Sequence, residues 1–146
     1  MTEYTMTVYA DPNGPVGHFF VGVAGPNINM PVSGKYMRDE AYKNVAKSIF
    51  GVPGKISDDR DHTNGEGVIR KDFPLNKEQA EKAAAYIKNA RENPGEYELF
   101  GHNCISFAQG ALDAAEVKTR VDKAFSAEEL DAMGNPVYGA GDEAQR

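Results

Sequence analysis

Two segments of strand period, separated by a dense turn, constrain the fold of this chain more than any other feature. From Tyr4 to Ala10 the residues alternate, Tyr4, Met6 and Val8 against Thr5, Thr7 and Tyr9, which is the two-residue period of a β-strand. Asp11-Pro12-Asn13-Gly14-Pro15 follows, a run of turn-forming residues. His18 to Val23, HFFVGV, then reads as a second strand. A connection this short joins antiparallel strands, because a parallel pair needs a crossover of a dozen residues or more. The chain therefore opens with a hairpin.

The rest of the chain adds helices to that sheet. Residues 25 to 35 carry Gly, Pro and Asn at short intervals, with one short strand expected around Ile28 to Val32. Asp39 to Phe50 places Ala41, Tyr42, Val45, Ala46 and Ile49 at helical spacing and meets a breaker at Gly51-Val52-Pro53-Gly54. Ser57 to Gly67, SDDRDHTNGEG, reads as a polar loop of a length often tied to function. Val68 to Phe73 is a further predicted strand. Asn76, with Gln79 three positions on, predicts a capped helix with a stripe of Ala80, Ala83, Ala84, Ile87 and Ala90, ending near Asn93-Pro94-Gly95. Tyr97 to Phe100 is extended and leads into a helix from Cys104 to Ala115, with Phe107, Ala108, Ala111, Leu112 and Ala115 inward. Ser126 and Glu129 form a second capping box for a short helix to Met133. No internal repeat interrupts this order. The class is α+β, a small antiparallel sheet packed against helices. Residues 1–134 are expected to be one domain and 135–146, Gly-rich and polar, a flexible C-terminal tail.

Composition removes several functions. A length of 146 residues suits one domain, and a net charge of −6 without a Lys/Arg cluster excludes a phosphate-driven nucleic-acid binder. It gives no support for an anionic membrane surface either. The single cysteine excludes an internal disulfide framework and a multi-cysteine metal site. The N-terminal residues lack the basic and apolar regions of a signal peptide. No apolar run approaches the ~20 residues of a membrane span, so no integral membrane segment is expected.

That single cysteine, Cys104, stands where a loop becomes a helix, in Gly101-His102-Asn103-Cys104-Ile105-Ser106-Phe107-Ala108. Unpaired N–H groups and the helix dipole favour thiolate there, and the thiolate is the nucleophile. A nucleophilic Cys also needs an imidazole within hydrogen-bond reach. His102, two residues away, is badly placed for this. His18 opens the strand HFFVGV and shares a face with Phe20 and Gly22; spacing alone reads it as a strand-end histidine. His62 sits in the polar loop among Asp58, Asp59, Asp61 and Asn64, which reads as a solvated acidic loop. These residues match no ion-loop spacing, so neither a metal nor another cofactor is expected.

Taken together, Gly17-His18-Phe19-Phe20-Val21-Gly22 and, far downstream, Asn103-Cys104-Ile105-Ser106-Phe107-Ala108 resemble the circularly permuted papain-like hydrolases of the NlpC-like superfamily. Lecithin retinol acyltransferase-like enzymes share that arrangement, with the histidine strand before the nucleophile helix. With Asp58-Asp59-Arg60-Asp61-His62 and the helix from Asn76 between them, the chain is similar above all to bacterial polymorphic-toxin and type VI secretion effector domains. The likeness runs from about Val8 to Val117. The chain departs from it at Ile105-Ser106, where such domains often carry Thr-Asp or Glu-His.

The resemblance implies a permuted papain-like fold and a cysteine peptidase or amidase. Cys104 would attack a carbonyl, His18 would serve as general base and then acid, and N–H groups at the helix start would hold the oxyanion. Asn103 would cap the helix or position its loop. The third polar residue is open between Asn29, by chain position, and His62, through the loop. The implied substrates are peptide or amide bonds, with peptidoglycan favoured and a cytosolic protein or lipid left open. The implied setting is a bacterial antibacterial effector, exported without a signal peptide by a secretion system, acting in the target periplasm and met by a cognate immunity protein. The same Cys–His pair also serves an acyltransferase, lipid esterase or deamidase. A degenerate domain would be a binding module instead, with Cys104 buried and slow to alkylate, whereas the hydrolase predicts rapid alkylation that varies little near neutral pH.

Overall fold

The computed structural model describes residues 3–11, 18–37, 51–97 and 103–121. Their elements are β1 (Tyr4–Asp11), β2 (His18–Gly25), β3 (Ile28–Asn29), β4 (Ser33–Met37), β5 (Val52–Asp58), a 3-10 turn (Arg60–His62), β6 (Ile69–Leu75), α1 (Lys77–Glu92), β7 (Glu96–Tyr97) and α2 (Cys104–Ala114). The predicted helices over Asp39–Phe50 and Ser126–Met133, the turn at Pro12–Pro15, His102 and the tail 135–146 lie outside the described residues.

Among the described residues the strands form one antiparallel sheet in the order β6-β1-β2-β4-β5-β7, with β3 added to β2. The chain is thus α+β, and the expected hairpin is present: β1 pairs β2 from Thr5 with Ala24 to Asp11 with His18. This register sets Val8 beside Val21, Met6 beside Val23 and Ala10 beside Phe19. Those residues join Phe73 and Leu75 of β6 in one core with Ala80, Ala83 and Ile87 of α1 and Phe107, Ala108, Ala111 and Leu112 of α2. Because side chains alternate across a strand, Tyr9, Phe20 and His18 belong to the other face. Their rings stack in a row, Tyr9 on Phe20 with centroids 5.0 Å apart and Phe20 on His18 at 5.5 Å.

Both helices start as local chemistry dictates. Asn76 Oδ1 accepts from Gln79 N while Gln79 Oε1 accepts from Asn76 N, so the capping box closes. Gln79 then donates from Nε2 to Ala115 O, tying the start of α1 to the end of α2. The two helices meet where Tyr86 stacks on Phe107. Gly110 makes that contact possible, since a Cβ there would collide with the Tyr86 ring.

Two strands were not expected. Gly51-Val52-Pro53-Gly54 reads as a helix breaker, yet Val52 to Asp58 is β5, and β4 is a further strand beside it. Pro53 is tolerated because its partner strand β7 is only two residues long and pairs it with Glu96. Gly54 is needed because a Cβ there would press on Gly95 O and Lys35 Cε. A breaker pattern and an edge strand look alike in sequence. Here the pairing partner decides which of the two forms.

Candidate active site

Cys104 is placed by its cap. Asn103 Oδ1 accepts from Ile105 N and Ser106 N, both at 3.0 Å, and Ser106 Oγ accepts from Asn103 N at 2.8 Å. Asn103 is therefore the N-cap of α2, and Ser106 is the return half of its capping box. This gives Ser106 a local structural role. The cap also narrows the chemistry. Two first-turn N–H groups belong to Asn103, and a third, of Phe107, is given to Asn103 O. Of the donors at the helix start, the N–H of Cys104 is the one outside this cap.

His18 is brought to the thiol by strand geometry. β2 and β4 are joined through one pair only, Val21 with Ser33. On the His18 side of that pair the two strands are not matched. His18 lies over Gly34 there, close enough to Cys104 for the sulfur to raise the ring's proton affinity.

The third polar group of this cluster is Asp59. His18 Nε2 donates to Asp59 Oδ2 at 3.0 Å. Asp59 is 2% exposed and His18 17%. Tyr36 OH donates to the second carboxylate oxygen, Oδ1, at 2.7 Å and its ring stacks on His18 with centroids 4.3 Å apart. Asp59 is held from behind by its own N–H, which donates to Val32 O at 2.7 Å. It precedes the 3-10 turn at the N-cap position, yet its side chain makes no capping bond. The carboxylate is turned inward instead. Its neighbour Asp58 is turned outward to Arg60.

Gly34 completes the arrangement. A Cβ on Gly34 would overlap Asp59 Oδ2 and lie 2.5 Å from His18 Nε2. The hydrogen bond between the two side chains occupies the space that a larger residue would fill.

The site's electrostatics follow from this packing. Burial pushes the His18 ring toward its neutral form. The hydrogen bonds to Asp59 and Cys104 and the charges of both outweigh burial, and the pKa rises to about 9. Near neutral pH the ring is therefore imidazolium. Tyr97 of β7 is buried too, and burial with the nearby Cys104 charge pushes its hydroxyl up to about 12. Cys104 itself is 8% exposed. Beside the first turn of α2 a half-open cavity of about 420 Å³ lies among Lys35, Ile56, Tyr86, Asn89, Pro94 and Phe107.

The candidates named from sequence thus fall into two groups. Cys104, His18 and Asn103 converge on the start of α2. Asn29 does not: its backbone pairs with Ala24, at the end of β2 remote from His18, and six residues of strand separate the two by roughly 20 Å. His62 closes the 3-10 turn three residues after Asp59; the carboxylate bonded to His18 is that of Asp59. Sequence reasoning missed Asp59 because it is one of three aspartates in a run whose orientations depend on where β5 ends. Gly34 falls in the Gly-, Pro- and Asn-rich stretch of residues 25 to 35 and carries no signal until β4 is seen. Among the described residues no group of three or more His, Cys, Asp and Glu is placed to hold a metal ion. Nor is any described helix long and apolar enough to cross a membrane. In comparisons with known proteins, no family model, no curated protein and no solved structure matches the chain.

Proposed function

We propose that this chain is a papain-like cysteine hydrolase, a peptidase or amidase, working through Cys104, His18 and Asp59. The observation that carries the reading is the connected series from a buried carboxylate through an imidazole to a thiol at a capped helix start. Nucleophile, base and orienting group in that order are the recurring parts of covalent acyl transfer.

In the proposed reaction the thiol proton rests on His18, and Asp59 stabilises the imidazolium. Cys104 Sγ attacks the carbonyl carbon, a C–S bond forms, and the oxygen becomes an oxyanion beside the Cys104 N–H. As the tetrahedral centre collapses, the C–N bond breaks and the leaving amine takes the proton from His18. The neutral ring then removes a proton from water. The resulting hydroxide attacks the thioester, a C–O bond forms, and the sulfur departs as thiolate. The cavity beside α2, lined by polar and apolar side chains together, has room for a substrate side chain. Peptidoglycan peptide bonds are the proposed substrate and delivery as an antibacterial effector the proposed setting, both resting on the resemblance of the Gly17–Gly22 and Asn103–Ala108 motifs.

The test is expression of the parent, Cys104→Ala and His18→Ala in bacteria, directed to the periplasm or kept in the cytosol. Killing by the parent in the periplasm, absent in both variants, is expected. Equal killing by all three proteins would overturn the chemistry, and killing confined to the cytosol would move the substrate away from the cell wall. One observation favours a second reading, a binding module without catalysis: the low exposure of Cys104. It is separated by alkylation, which a sealed thiol resists and a thiolate at the mouth of a site does not.

A further inference from the structure

Tyr36 touches both partners of the His18–Asp59 hydrogen bond, and nothing in the covalent steps above calls on it. We propose that Tyr36 is a positioning residue that fixes the His18 ring and the Asp59 carboxylate together. The inference rests on the reading of Cys104 and His18 as a reactive pair and extends it.

The geometry is a closed triangle. The Tyr36 ring lies on His18 with centroids 4.3 Å apart and an interplanar angle of 26°. The Tyr36 hydroxyl donates to Asp59 Oδ1 at 2.7 Å, and His18 Nε2 donates to Asp59 Oδ2 at 3.0 Å. Each residue holds the other two. A phenylalanine would keep the stack and lose the donor. A serine would keep a hydroxyl but is too short to reach.

The hydroxyl matters because Asp59 is buried. A buried carboxylate keeps its charge only when donors surround it, and each donor to the charged form resists protonation. Other charged groups stand near this triangle. Asp11 stands opposite His18 on β1, and Cys104 lies on α2; the charge of each raises the proton affinity of Tyr36. Arg60, the nearest cation in sequence, is committed to Asp58. Tyr36 remains a donor across the working range, since burial and Asp59 push its own ionisation above that of an ordinary tyrosine.

The experiment follows the pH dependence of Cys104 alkylation by iodoacetamide in the full chain. With one cysteine, every modified molecule reports the same sulfur. Tyr36→Phe is expected to keep the parent rate near pH 8 and to move the acid limb up by about one pH unit, because the carboxylate that holds His18 loses a donor. Tyr36→Leu, which also loses the stack, is expected to lower the rate at pH 8 as well. In an Asp59→Asn background Tyr36→Phe is expected to leave the profile unchanged. A Tyr36→Phe profile that superimposes on the parent's overturns the inference, and so does a lowered melting temperature with an unmoved limb, which would assign Tyr36 to packing alone. His18→Ala runs alongside. If its profile matches the parent's, the Cys104–His18 pairing itself fails, and this inference falls with it.

Discussion

Gly34→Ala is the smallest change that separates the site from the fold around it. Gly34 lies within β4, paired with Ser57 of β5, in a backbone conformation that any residue adopts. Alanine therefore strains nothing in the main chain, and β-strands favour it slightly over glycine. The new methyl meets two side chains. It stands 2.5 Å from His18 Nε2 and 3.0 Å from His18 Cε1, and it overlaps Asp59 Oδ2. Ordinary contact begins at 3.4 Å, so His18 must retreat by most of an ångström and Asp59 by more. Their hydrogen bond spans 3.0 Å and has no slack for that displacement. A misplacement of about 1 Å costs on the order of 100-fold in rate where geometry sets reactivity. The assay is iodoacetamide labelling at pH 6, where a thiol of pKa about 8.5 is less than about 1% ionised. A thiolate held by the His18 imidazolium reacts there; Gly34→Ala is expected to lower that rate by roughly 10- to 100-fold, with its far-ultraviolet circular dichroism unchanged. A folded Gly34→Ala protein that labels within about twofold of the parent would refute the argument that the His18–Asp59 contact governs Cys104.

Other outcomes follow from the same geometry. His18 has a raised pKa when folded, so its stabilisation is complete below about pH 6.5 and is lost as pH rises through about 9. Thermal melts across that window are expected to show a fall approaching roughly 3 kcal/mol in the parent, and a much smaller one in His18→Gln. Asn103→Ala removes the acceptor for Ile105 and Ser106 N–H and is expected to cost roughly 0.5–2 kcal/mol by denaturant unfolding, whereas Asn103→Asp keeps the cap and most of that stability. Gly110→Ala would gain about 1 kcal/mol of helix propensity but drives a methyl into the Tyr86 ring. A net loss of roughly 1–3 kcal/mol is expected, relieved when Tyr86→Ala is added. Gln79→Ala breaks both the α1 cap and the buried bond to Ala115 O, so a loss of roughly 2–3 kcal/mol is expected in the same unfolding assay. A loss below about 0.5 kcal/mol would mean that the bond adds nothing beyond solvent exchange.

Local chemistry made much of the chain legible. The alternation of Tyr4 to Ala10 and its turn specify a hairpin, because a period of two buries one face of a strand and a short connection permits only antiparallel pairing. Asn76 with Gln79 locates the start of α1, and Asn103 before Cys104 locates the start of α2, since caps satisfy donors within three residues of themselves. The position of Cys104 at a helix start is thus written in the residues around it. What the local pattern does not contain is contact between distant strands. Gly51 to Gly54 reads as a breaker and becomes a strand because β4 and β7 are there to pair with it. Asp58, Asp59 and Asp61 are alike in sequence, and only the end of β5 against Ser33 turns the second of them inward. His18 reads as a strand-end histidine until Asp59 and Cys104 surround it. Its protonation is then decided by burial against two hydrogen bonds, interactions that fall off within a few ångströms and so arise only once folding has brought three separate elements together.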